Sequence, residues 1–181
     1  MGLASVVMRL ACLLFGAAVG MILPEKRCRE LCRPFTPSAG ELMTLALGVS
    51  KTVVTCAAAA VAAPMPVQVS ILYTGMGLLG ADCLTRKSGQ ETWLPIICPW
   101  LILYLPFTGV LACLGGGLLV LSAGVPCMAG LAMVVLAAPM ALLQFEAEGG
   151  LVLLLAAAIL CAEQVAVVLQ DRKKRKMQKN V

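Results

Sequence analysis

Residues 151–160 read LVLLLAAAIL, and the stretch continues as CAEQVAVVL to residue 169. The first block is apolar without interruption, so it lacks the alternation of a strand with one wet face. As a helix rising 1.5 Å per residue, residues 151–169 reach about 28 Å, close to the hydrocarbon thickness of a bilayer. A membrane-spanning helix is the reading that satisfies both pattern and length.

The rest of the chain agrees with this stretch. Of 181 residues, 61% are hydrophobic and 13% charged. A soluble domain runs nearer half apolar and a quarter charged. The apolar residues come in continuous runs, and aromatics make up only 4%, too few for the girdles of a barrel. Backbone groups in lipid must be satisfied within their own segment, which leaves helices. The expected fold is therefore all-α, a polytopic transmembrane helix bundle over residues 1–169 with a basic cytoplasmic tail over 170–181. There is room for six to eight spans, and about seven is the preferred number.

Working back along the chain, Leu3 to Leu23 is a first apolar run holding Arg9. It has some features of a signal peptide but reads better as an uncleaved helix. Gly16 and Gly20 form a small-xxx-small pair that lets a neighbouring helix approach closely. Pro24 to Gly40 is a polar loop. Glu41 to Ala63 is a second run, Pro64-Met65-Pro66 a tight turn, and Val67 to Ala81 a short third run. Asp82 to Trp93 is a second polar loop. Spans follow at about 94–105, 107–122 and 126–143, with Pro99 a kink and Pro106 a turn. The first of these is too short for a straight crossing: it is tilted, continuous with its neighbour, or re-entrant. Phe145 to Gly150 is expected to be a solvated acidic turn carrying Glu146 and Glu148.

Basic residues set the orientation. Of fourteen Lys and Arg, four lie in the first loop, two in the second and six in the tail. With all three segments cytoplasmic, the N-terminus is outside and the C-terminus inside. Arg9 then sits near the outer face and is expected to snorkel outward. The parity requires residues 94–122 to make two spans.

Few residues could carry chemistry. There are nine cysteines and no histidine. Cys12, Cys56, Cys98, Cys113, Cys127 and Cys161 lie in apolar runs and read as small core residues. Cys28 and Cys32 share a helix face but lack further ligands, so no metal and no cofactor is expected. Lys51 stands inside an apolar run, where a charge costs about 2.5–3.5 kcal/mol on insertion scales and marks a functional site by default. Its depth differs by about 6 Å from that of Glu163 in the last span, so a Lys51–Glu163 pair is a candidate. Arg86, Lys87, Ser88 and Gly89 could hold a phosphate through charge and backbone N–H groups. The tail suits anionic lipid headgroups, and nucleic acid is not an expected partner.

This order of features resembles the bacterial acyl-phosphate:glycerol-3-phosphate acyltransferases, a seven-helix membrane family. Gly48-Val49-Ser50-Lys51 looks like its Asp-x-x-Lys pattern, with Gly48 at the aspartate. Gly77-Leu78-Leu79-Gly80 precedes the place of the family histidine, which Ala81 occupies. Lys87-Ser88-Gly89-Gln90-Glu91 falls near the glycine-rich phosphate loop, and Pro37-Ser38-Ala39-Gly40 near the Ser-Gly-Asn motif. The resemblance implies a bacterial inner-membrane protein of phospholipid synthesis using acyl phosphate and glycerol 3-phosphate. Lys51, Arg86, Lys87, Ser88 and Gly89 would bind phosphate; no convincing base remains, Asp82 being nearest by position. A catalytically degenerate member, a non-catalytic scaffold, and a small transporter or substrate-binding subunit are the other readings.

Overall fold

The computed structural model describes residues 3–22, 37–85, 94–123, 129–144 and 146–178. Among them are seven α-helices and no strand, the all-α bundle that the composition demands. They are α1 (Leu3–Ile22), α2 (Pro37–Ala62), α3 (Val67–Thr85), α4 (Leu94–Tyr104), α5 (Pro106–Ala123), α6 (Ala129–Gln144) and α7 (Glu146–Gln178). Four of them, α1, α2, α3 and α7, contain segments long and apolar enough to cross a membrane. Large apolar side chains such as Leu14, Val61, Leu118 and Leu143 stand exposed on the outside. A soluble monomer does not display apolar surface on this scale, and a lipid solvent accounts for it.

α3 is the axis of the bundle. It packs against α1, α2, α4 and α7, and residues Thr74 to Leu79 are all buried. It is also the least apolar of the four long segments. Protein, not lipid, surrounds it, so Ser70, Thr74 and Asp82 can occupy its buried positions.

Missing side chains let α1 reach this axis. A Cβ on Gly16 would collide with the Thr74 carbonyl, one on Gly77 with the Leu13 carbonyl, and one on Gly20 would lie 2.5 Å from the Ala81 Cβ. The small-xxx-small pair on α1 is thus a close-packing surface, as its spacing predicts. The contacts advance together along both helices, so α1 and α3 run parallel, with α2 returning between them in the chain. The return uses the Pro64–Pro66 turn, where Met65 N–H donates to Ala63 O at 2.8 Å.

α4 and α5 form a tight hairpin. Cys113 Sγ lies 3.9 Å from the Cys98 carbonyl, and Gly109 faces the Leu101 backbone. In one straight helix Cys98 and Cys113 would be about 22 Å apart. The chain doubles back at Leu105–Pro106, where Leu105 N–H donates to Leu101 O and Gly109 N–H to Leu105 O at 2.8 and 2.6 Å. Residues 94–122 are therefore two helices, not one bent one. α4, at 11 residues, rises only about 16 Å. It is sheltered among α2, α3, α5 and α6. Trp100 anchors it: the ring is fully buried, covers Gly75 and donates its indole N–H to Ile71 O at 3.2 Å.

Of the acidic turn expected at 145–150, residues 146–150 are helical. α7 begins at Glu146, so Glu148 belongs to the first turn of a helix, where the dipole favours a carboxylate. At its other end α7 runs on as helix to Gln178, carrying the basic tail on the same axis as the last apolar segment.

Candidate functional site

Two polar centres lie about 16 Å apart along α1, at the levels of Arg9 and Gly20. The first lies where α1, α3 and α7 begin. Arg9 falls on the inward stripe of α1 with Cys12, Gly16 and Gly20, while Leu3, Val7, Leu10 and Leu14 face outward. Its guanidinium meets Glu148 Oε2 at 2.8 Å, with side-chain exposures of 16% and 27%. Tyr73 donates its hydroxyl to Glu148 Oε1 at 2.8 Å, and the guanidinium carbon sits 5.9 Å from the Tyr73 ring centre. Arg9 does not snorkel away from the bundle. It turns inward because a countercharge and an aromatic face are present there, which answers the cost of a charge in an apolar setting. Glu148, expected to be solvated, is that countercharge.

The second centre lies where α1 and α3 finish. Lys51 is half-buried on the inward stripe of α2, with Gly48, Thr52, Thr55, Cys56 and Ala59. Its ammonium donates to the Gly20 carbonyl at 3.0 Å. Gly20 is among the last four residues of α1, whose carbonyls lack intrahelical partners, so Lys51 caps α1 with charge of the favourable sign. Thr52 and Thr55 turn their hydroxyls back onto the carbonyls of Gly48 and Lys51, at 2.9 and 2.6 Å. Both threonine hydroxyl donors are thereby satisfied within α2.

Gly20 also touches Ala81, so the Lys51 head and the last turns of α3 share one end of the bundle. Asp82 is buried there, and Thr85 donates to the Ala81 carbonyl at 2.9 Å. Capping α1 uses one of the three ammonium N–H donors, and the positive charge remains available to an anion. The expected phosphate ligands Arg86, Lys87, Ser88 and Gly89 lie outside the described residues, as do Cys28 and Cys32.

The expected partner of Lys51 was Glu163; the contact the structure displays is with Gly20. Glu163 is half-buried on α7, and α2 and α7 both border α3. Sequence reasoning missed Gly20 as an acceptor, because a backbone carbonyl leaves no mark in a side-chain pattern. It also missed Tyr73 and the Arg9–Glu148 pair. The signal for that pair was present: Arg9 and the acidic residues Glu146 and Glu148 were assigned to the same face.

No protein-family model matches this chain, and neither a curated protein nor a solved structure matches it significantly.

Proposed function

We propose that this chain is an acyltransferase-like membrane protein of phospholipid synthesis. In this reading it binds a phosphate-headed amphiphile where α1 and α3 finish. The membrane is the bacterial inner membrane, crossed about seven times, with that end facing the cytoplasm. The observation that supports the reading is the convergence on Gly20. Lys51 stands at the lysine of the acyltransferase pattern and Ala81 at its histidine, and both adjoin the same residue of α1. The chain then continues from Thr85 directly into Arg86, Lys87, Ser88 and Gly89. A cationic centre followed in sequence by Ser-Gly suits the phosphate of acyl phosphate or of glycerol 3-phosphate.

Turnover is a separate matter. Gly48 and Ala81 supply no proton acceptor where the family pattern has aspartate and histidine. Asp82, next to Ala81 and buried, is the nearest carboxylate in sequence. Binding with slow or absent transfer is the form of the activity that these residues suit.

The test is glycerol 3-phosphate binding and acyl transfer by the purified full chain in lipid nanodiscs. Saturable binding that Lys51→Met abolishes and Lys51→Arg retains is expected. Absence of both binding and transfer, under conditions where an acyl-phosphate-dependent acyltransferase works, would sink the proposal. A non-catalytic scaffold would then be the better reading, favoured by the capping of α1 by Lys51, which explains that lysine without a ligand.

A further inference from the structure

Three sulfur-bearing side chains cluster in the half of the bundle farther along the chain. Cys98 on α4, Cys113 on α5 and Met133 on α6 come from three successive helices. Cys98 Sγ lies 3.6 Å from Met133 Sδ. Cys113 Sγ lies 3.9 Å from the Cys98 carbonyl, which brings the two cysteines together across the α4–α5 hairpin. Met133 is buried at 2% exposure. Its thioether arm occupies space left by Gly116, where a Cβ would run into Met133 Cγ. Gly116 is one helical turn after Cys113, so the same face of α5 supplies one sulfur and clears room for another.

We propose that Cys98, Cys113 and Met133 form a three-sulfur site for a soft monovalent metal ion, Cu(I) by chemistry. Thiolate and thioether donors select Cu(I) over harder cations. Metal–sulfur bonds of about 2.3 Å in a trigonal arrangement place the sulfurs about 4 Å apart, close to the 3.6 Å between Cys98 and Met133. Zn(II) fits less well, since structural zinc takes four nitrogen or sulfur ligands and the chain has no histidine. The charge balance also suits an apolar interior. Cu(I) displaces one thiol proton, which leaves for solvent, and the resulting complex of one thiolate, one thiol and one thioether is neutral. No oxidant or reductant is consumed. The bound ion would tie the α4–α5 hairpin to α6 through one ligand from each of the three helices.

The experiment is anaerobic titration of the detergent-purified full chain with Cu(I) against a chelator, followed by X-ray absorption at the copper edge. One tight equivalent with sulfur scatterers at about 2.3 Å is expected. Cys98→Ala, Cys113→Ala and Met133→Leu should each weaken it by about tenfold or more, since losing a ligand costs at least as much as losing an outer-shell partner. Cys161→Ala, at an exposed cysteine on α7, should leave it unchanged. Met133→Leu conserves volume and keeps the test informative if a cysteine variant does not fold. Affinity unaltered in Met133→Leu and in the folded cysteine variants, or a shell of nitrogen and oxygen, would overturn the proposal.

Discussion

Arg9 Nη2 and Glu148 Oε2 stand 2.8 Å apart although 139 residues separate them in the chain. This contact brings the start of α7 back to the start of α1, and Tyr73 of α3 joins them through the same carboxylate. With their first turns together, α1, α3 and α7 run in the same direction through the bundle. One arrangement of two charges thus carries the direction of three helices.

Breaking that pair from one side should be worse than removing it. Glu148→Gln leaves a poorly solvated guanidinium without its countercharge, and a loss on the order of 2–4 kcal/mol is expected, somewhat below fully buried pairs. Arg9→Met combined with Glu148→Gln should recover a good part of this. Thermal unfolding in a fixed detergent measures both, and a double variant less stable than either single one would contradict the assignment.

The same cycle separates the two charge pairings. Coupling between Arg9 and Glu148 should exceed that between Lys51 and Glu163, because the first pair is in direct contact and Lys51 already caps α1 through Gly20. Four single variants and two double variants decide it. A larger coupling at Lys51–Glu163 would favour the pairing that depth alone suggests.

Glycines should divide sharply by environment. Gly16→Leu and Gly77→Leu push a side chain into backbone carbonyls of the neighbouring helix and should abolish folded, monodisperse protein. Gly80→Ala and Gly117→Ala meet no atom within 4 Å and should be neutral or stabilising by about 0.5–1 kcal/mol, the usual gain of alanine over glycine in a helix. Size-exclusion profiles and melting temperatures give the comparison. Tolerance of leucine at Gly77 would mean that α1 does not approach α3 so closely.

Trp100 should behave as an anchor of α4. Trp100→Phe keeps most of the apolar volume and loses the hydrogen bond to Ile71 O, for about 1 kcal/mol. Trp100→Ala should cost about 3 kcal/mol or more through the cavity it leaves. Similar losses for the two would show that the indole N–H, not the packing, holds the helix.

Element existence was legible because lipid solvation enforces it: every apolar run became a helix, and Gly16, Gly20 and the Pro64–Pro66 turn acted as their residue types predict. The hairpin at Leu105–Pro106 was legible in the proline. What the sequence concealed were contacts between distant residues. Glu148 looked solvated since acidic residues near a turn usually are, and only the fold brings Arg9 to it. Gly20 as the acceptor for Lys51 was hidden for the same reason, since a helix end advertises its spare carbonyls to any neighbour that packs there. The helices also run past the apolar patterns: α2 begins at Pro37, α3 extends to Thr85 and α7 begins at Glu146. Polar helix ends carry no hydropathy signal, and caps and neighbours fix them instead.

The central claim, an odd number of crossings with α1 and α7 running in the same direction, is tested most directly by side-specific tag accessibility in intact cells. A tag ahead of Leu3 should be reached from outside without permeabilisation, and a tag after Gln178 only after it. Both tags on the same side of the membrane would contradict the account.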